Sequence, residues 1–186
     1  MISTSDFRKN STKILWNNEP WVVIDYQSVK PGKGGTYIRT KMKNMITGRV
    51  LEETFRSAEK FEEPDLEYAQ MQFLYVDNFY HFMDQESYEQ VDFNENQVGH
   101  VKQYLKDGII YNVIKFKGEP ISVEPPTFMV FEIKSTVPGV KGDTAQGGSK
   151  PATLDSGLVV HVPLFLNEGD KIKVDTREDK YIERVD

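Results

Sequence analysis

Short runs in which apolar and polar residues alternate with a period of two recur along this chain, and they constrain its fold more than any other feature. Trp21–Tyr26, Gly35–Lys43, Gln70–Val76, Asn78–Met83, Ile109–Phe116, Ile121–Val123, Thr127–Ile133, Gly157–Val162 and Asp170–Asp175 are rich in β-branched and aromatic residues. Turn residues bound them, among them Asn17-Asn18, Pro31-Gly32, Thr47-Gly48 and Asp77-Asn78. A period of two puts successive side chains on opposite faces of a strand. Strands recurring about every 8–12 residues between turns predict small barrels or sandwiches. Helical spacing is sparse: Asn96–Lys106, with Gln97, Val98, Val101, Tyr104 and Leu105, predicts one short helix. The fold class is all-β.

Charge divides the chain. The formal total is −6 over 186 residues, which argues weakly against a nucleic-acid partner. Residues 1–60, however, carry 11 Lys/Arg against 6 Asp/Glu, while residues 61–127 carry 4 against 13 and residues 128–186 carry 8 against 10. Such asymmetry points to separate domains with different surfaces, the first of them suited to phosphate. The β pattern pauses where the sign flips, around Glu59–Pro64, and again at Glu124-Pro125-Pro126, where a double proline stops any central strand. Three small β-barrel domains in a row are therefore expected, over residues 1–63, 64–126 and 127–186. Domains of that size bury only about 60% of their unfolded surface, so neighbours are expected to pack edge to edge.

Several function classes find no support. With no cysteine, disulfides, thiolate metal sites and Cys nucleophiles are excluded. His81, His100 and His161 lack metal-ligand spacing. There is no GxSxG and no GxxxxGK[ST], so neither a nucleophile elbow nor a phosphate-cradling loop is present. The Asp/Glu pairs sit in charged runs and read as solvated faces, so neither an enzyme nor a cofactor is expected. No apolar stretch approaches 18 residues, and Met1-Ile2-Ser3 opens no signal region; a soluble, cytoplasmic protein with no membrane partner is the expectation.

Two loops stand apart. In Lys30-Pro31-Gly32-Lys33-Gly34-Gly35 the proline fixes one φ and the glycines leave no side chain beside Lys33. A hairpin of this kind would display Lys33 alone at its tip, and Arg39, Lys41 and Lys43 alternate behind it as a basic ladder. The alternative is an ordinary solvated turn. The second loop, Val137–Pro151, runs for 15 residues without apolar periodicity, a length usual for functional or disordered loops. Its Gly142-Asp143-Thr144 offers bare amides, a carboxylate and a hydroxyl to unpaired base edges, with Lys134, Lys141 and Lys150 nearby for phosphate. The aromatics Phe73, Tyr75, Phe79, Tyr80 and Phe82 fall in the acidic middle piece and are read as core.

Taken together, these residues resemble bacterial elongation factor P along the whole chain. The resemblance rests on Ile2–Arg8, on Val29-Lys30-Pro31-Gly32-Lys33-Gly34, on the Val137-Pro138-Gly139 and Gly142-Asp143-Thr144 loop, and above all on the long run Lys150–Gly169. It implies an SH3-like (KOW) barrel followed by two OB-folds in an L-shaped, tRNA-like arrangement. It also implies a monomer that binds the 70S ribosome, in contact with ribosomal RNA and peptidyl-tRNA, and relieves stalling at consecutive prolines. By the same resemblance Lys33, held by Pro31, Gly32, Gly34 and Gly35, reaches toward the peptidyl-transferase centre and is the target of a lysine-modifying enzyme. Lys30, Arg39, Lys41 and Lys43 would sit on RNA phosphates, Gly142, Asp143 and Thr144 on the exit-site codon and small subunit, and Tyr181 and Arg184 on tRNA. Two alternatives stay open: the elongation factor P-like paralogue, and a non-ribosomal OB-fold RNA-binding or chaperone module.

Overall fold

The computed structural model describes residues 1–139 and 147–186, and across them the alternating runs become strands. The first module contains β1 (Ile2–Ser3), β2 (Lys13–Trp16), β3 (Glu19–Val29), β4 (Tyr37–Asn44), β5 (Val50–Arg56) and β6 (Lys60–Phe61). Strands β2-β3-β4-β5 form an antiparallel sheet, and β1 pairs with β6. Asn17 and Asn18 both adopt left-handed backbone, φ +52° and +63°, which matches the two-residue turn whose twist suits a hairpin.

The second module follows with β7 (Leu66–Val76), β8 (Tyr80–Asp84), β9 (Gln90–Phe93), β10 (Ile110–Phe116) and β11 (Glu119–Glu124), in the order β11-β10-β7-β8-β9. The third holds β12 (Phe128–Thr136), β13 (Ser149–Leu154), β14 (Val159–Pro163), β15 (Lys171–Asp175) and β16 (Lys180–Val185), in the order β14-β13-β12-β15-β16. The all-β expectation holds. Among the described residues no helix is long and apolar enough to cross a membrane.

The helix predicted over Asn96–Lys106 is shorter and of mixed kind. Helix α1 covers only Glu95–Val98, with the Asn94 side chain accepting from the Gln97 amide. Gly99, at φ +56° and ψ −133°, ends it, and Gly99–Tyr104 continues as a 3-10 turn. Val98, Val101 and Tyr104 are three residues apart, so a helix of three residues per turn buries all of them on one side. A 3.6-residue reading of the same spacing was close enough to mislead.

The modules do not join at strand edges as expected: each sheet is closed to the others, and contact is made by side chains. One continuous core takes Met71, Phe82, Tyr104 and Tyr111 from the second module and Phe131, Ile133, Leu154 and Ile172 from the third. The first module has its own core around Phe7, Trp21, Met42 and Phe55, and Met45 meets Ile114, Phe116 and Ile121 of the second. Phe73 and Phe82 are buried as read from the sequence, but Tyr75 and Phe79 are exposed, at 51% and 49%. A register shift between Phe73 and Tyr75 in β7 turns Tyr75 away from the core; its ring stacks on His81 instead, centroids 4.4 Å apart.

His81 supplies a pH test of the second module. Its Nδ1 lies 2.6 Å from Asp92 Oδ1 and its Nε2 2.9 Å from Asp77 Oδ1, a pair of carboxylates that favours the imidazolium. The bond to Asp77 raises the His81 pKa above its ordinary 6.5, with Asp92 acting in the same sense against partial desolvation. A group whose folded pKa is raised contributes fully below the unfolded value and loses that contribution as pH climbs through the folded one. The His81 contribution to urea resistance is thus expected to be complete below about pH 6.5 and to decline above it. His100, held below its ordinary value by burial, acts in the opposite sense, so the readout is wild type minus His81→Asn. A difference that stays constant from pH 6 to 8.5 would refute the assignment.

Candidate nucleic-acid interface

Strand β3 explains how the loop after it comes to lie at an exposed edge. Its inner positions Trp21 and Val23 are buried, but from Asp25 to Ser28 four successive residues are exposed. This stretch is an exposed edge of the sheet, with Tyr26 still against Phe7 at 6.0 Å between ring centroids, while its partners Ile38 and Thr40 on β4 stay buried. A register shift between Val23 and Asp25 marks where β3 passes beyond β2 and becomes the edge. The pairing continues to Val29 opposite Tyr37, and the Ser57 amide donates to the Thr36 carbonyl at the base of the loop. Ile38 of β4 and Phe55 of β5 still belong to the first module's core beside this stretch, so the loop of residues 30–36 begins where the sheet ends, beyond the Val29–Tyr37 pair.

In that loop Lys30, Pro31, Gly32, Lys33, Gly34 and Gly35 are all exposed. A Cβ added at Gly32 or Gly35 would meet nothing within 4 Å, and one at Gly34 would meet only the Pro31 ring at 3.8 Å. Gly34 has φ +110°, a conformation open to glycine and costly for any other residue. No side chain of Lys30–Gly35 makes a hydrogen bond or ion pair among the described residues. Lys33 is thus a primary amine in a narrow, bare loop.

The ladder behind the tip is less uniformly basic than the sequence suggests. Strand β4 does alternate, with Ile38, Thr40 and Met42 buried and Arg39 and Lys41 exposed. Register, however, places Lys41 between Asp25 on β3 and Glu52 on β5. Asp25 is also paired with Lys9 at 2.5 Å, and that hydrogen bond holds its carboxyl below the ordinary range. Lys43 departs further: half-buried, its ammonium faces Gly99 of the second module, and desolvation pushes its pKa down. In compensation, Arg56 of β5 stands opposite Tyr37 and one rung from Arg39. It is exposed, and only the pairing register puts it on this face.

The remaining candidates lie elsewhere. Tyr181 and Arg184 are three apart, which in a regular strand means opposite faces. Strand β16 carries an extra residue at Ile182, so Tyr181 opposes Val174 and Arg184 opposes Ile172, and the two share a face. Tyr181 packs half-buried on the large core, and Arg184 lies 4.0 Å from Asp170. Lys150 is no phosphate ligand: it is 3% exposed and donates to the Val137 carbonyl at 2.9 Å. Gly142, Asp143 and Thr144 fall outside the described residues.

Residues 3–61 match the family model described as the elongation factor P (EF-P) KOW-like domain, residues 66–123 the EF-P OB domain, and residues 129–184 the elongation factor P C-terminal region. Over 186 residues the chain is 52% identical to the elongation factor P of Caldanaerobacter subterraneus subsp. tengcongensis, covering 100% of both chains. It is 50% identical to that of Thermoanaerobacter sp., again across 100% of both. With elongation factor P of Thermodesulfovibrio yellowstonii the identity is 50% over 100% of this chain and 99% of the relative.

Proposed function

The chain belongs to the elongation factor P family and is a translation elongation factor, and from this premise we propose that it binds the 70S ribosome beside peptidyl-tRNA and relieves stalling at consecutive prolines. Support comes from Lys33, a lysine set among glycines in a bare loop on the module richest in positive charge. A crowded, phosphate-lined cavity admits such a bare loop where it would exclude a whole domain. Proline is a rigid, poor nucleophile, and a proline-rich nascent chain pulls peptidyl-tRNA out of line. A misplacement near 1 Å costs about a hundredfold in rate, so restoring position is enough to restore synthesis.

In this proposal Lys33, lengthened by a lysine-modifying enzyme, contacts the CCA end of peptidyl-tRNA. Lys30, Arg39 and Lys41, joined by Arg56, rest on RNA phosphates; Lys43 is left out because its ammonium is turned inward. Gly142, Asp143 and Thr144 meet the exit-site codon and the small subunit, and Tyr181 and Arg184 meet tRNA. Residues 1–63, 64–126 and 127–186 act as the three working units of a cytoplasmic monomer. The ribosome performs the chemistry, so the protein supplies no catalytic residue. Adding the protein to a reconstituted translation system stalled at Pro-Pro-Pro is expected to restore full-length product while leaving a proline-free message unchanged. Equal yields with and without it on the Pro-Pro-Pro message would overturn the proposal.

A further inference from the structure

Where the three modules meet they enclose a cavity of about 340 Å3. Each contributes a wall: Ser11, Lys13 and Lys43 from the first, His100 and Glu124 from the second, Arg177 from the third. Three Lys/Arg side chains and a histidine face a single carboxylate, in a chain whose total is −6. Two of the cations are already answered. Lys13 Nζ lies 2.6 Å from Glu124 Oε1, and Arg177 makes two bonds to Asp175, at 3.0 and 2.6 Å.

Lys43 is not answered. Among the described residues its ammonium makes no hydrogen bond and no ion pair, and it lies so close over Gly99 that a Cβ there would come within 2.5 Å of it. Burial holds its pKa down. His100, beside it, is held down by burial, against the opposing pull of the Asp179 carboxylate and with a smaller push in the same direction from the Lys43 charge. A cation kept half out of water with nothing opposite it is costly. When the same cation lines a roomy cavity of mixed polar and apolar walls, an anion entering that cavity relieves the cost.

We propose that the junction cavity is a binding site for a small phosphate-class oxyanion, with Lys43 as its central ligand and His100 and Ser11 at its sides. The volume is at the lower end of the range for small-molecule pockets, about 300–1,000 Å3, which suits an anion of pyrophosphate size. Lys13 and Arg177 contribute field without leaving their carboxylates. Because all three modules supply walls, an occupant ties their relative orientation together, and unfolding must release it.

Inorganic pyrophosphate is the probe. Calorimetric titration and thermal unfolding of the full chain, at constant ionic strength against matched chloride, are expected to show saturable binding of one equivalent and a rise in Tm specific to pyrophosphate. Lys43→Met should weaken that binding at least about tenfold, whereas Lys60→Met, at an exposed lysine of the same module, should leave it unchanged. Without ligand, Lys43→Met should melt no lower than wild type, because the replacement fills similar space without a buried charge; Lys43→Gln serves as the second variant. No saturable binding by the wild type would overturn the proposal by itself. So would binding that Lys43→Met and Lys43→Gln leave intact, or Lys43-dependent binding of a ten-nucleotide RNA with none of pyrophosphate.

Discussion

Lys33→Ala is expected to fold and melt like the wild type yet lose its effect on polyproline synthesis. The side chain is exposed and the loop around it touches nothing that a substitution could disturb, so stability should move by no more than about 0.5 kcal/mol. What disappears is the amine that the glycines of the loop leave without neighbours. If positioning is the mechanism, the rate of Pro-Pro bond formation should fall by about 10- to 100-fold, to the level without factor. Lys33→Arg separates two components of that loss. Arginine keeps the positive charge but lacks the primary amine, so partial rescue would assign that part to electrostatics and the remainder to the amine or to a group attached to it. Quench-flow measurement of Pro-Pro formation on stalled ribosomes, with intact-mass analysis of the native protein around Lys33, checks both. A Lys33→Ala variant that relieved a Pro-Pro-Pro stall as well as wild type would remove the tip from the mechanism.

How much of this was legible in the sequence depends on how far each feature reaches along the chain. Local features read correctly. The Asn17-Asn18 turn needs only two residues with left-handed backbone, and the alternation Ile38, Thr40, Met42 against Arg39, Lys41 needs only a pleat. The bare Lys33 tip is likewise local, because proline and glycine act on their own backbone. Features set by register or by a neighbouring module did not read. Lys41 lies between Asp25 and Glu52 only because three strands align there. Lys43 belongs to the same alternation as Arg39, and nothing in its own segment announces that Gly99, more than 50 positions away, will meet its ammonium. The single extra residue in β16 moved Tyr181 and Arg184 onto one face, a result no count of spacing contains. Lys150 looked like a surface cation and is a buried donor to a carbonyl. Charge patterns in the sequence thus marked the first module as the basic one, while the partition of its cations between surface and junction was decided by tertiary contact.

Phe131→Ala is expected to destabilise the second and third modules together, by about 3–5 kcal/mol, the usual cost of emptying a fully buried phenylalanine site. Phe131 is 0% exposed and belongs to β12 of the third module, yet its ring packs against Tyr104 of the second at 5.9 Å between centroids. Lys106 of the second module lies over the same ring at 4.5 Å, donates to the Val130 carbonyl at 2.8 Å and lies 3.2 Å from Asp155. The Tyr104 hydroxyl donates to the Asp179 carboxylate, and burial together with that carboxylate pushes the phenol well above its ordinary pKa. A cavity at Phe131 therefore removes the centre of a joint whose rim is polar, and neither module retains enough core alone to absorb the loss. The chain provides its own reporters for the experiment. Both of its tryptophans, Trp16 and Trp21, lie in the first module, so their fluorescence follows that module, whereas far-UV circular dichroism follows all three. In urea, Phe131→Ala should move the main circular-dichroism transition to lower denaturant and leave the tryptophan transition nearly in place. Coincident displacement of both signals would instead make the chain one cooperative unit, with the Met45 contact to Ile114, Phe116 and Ile121 as strong a joint as the shared core.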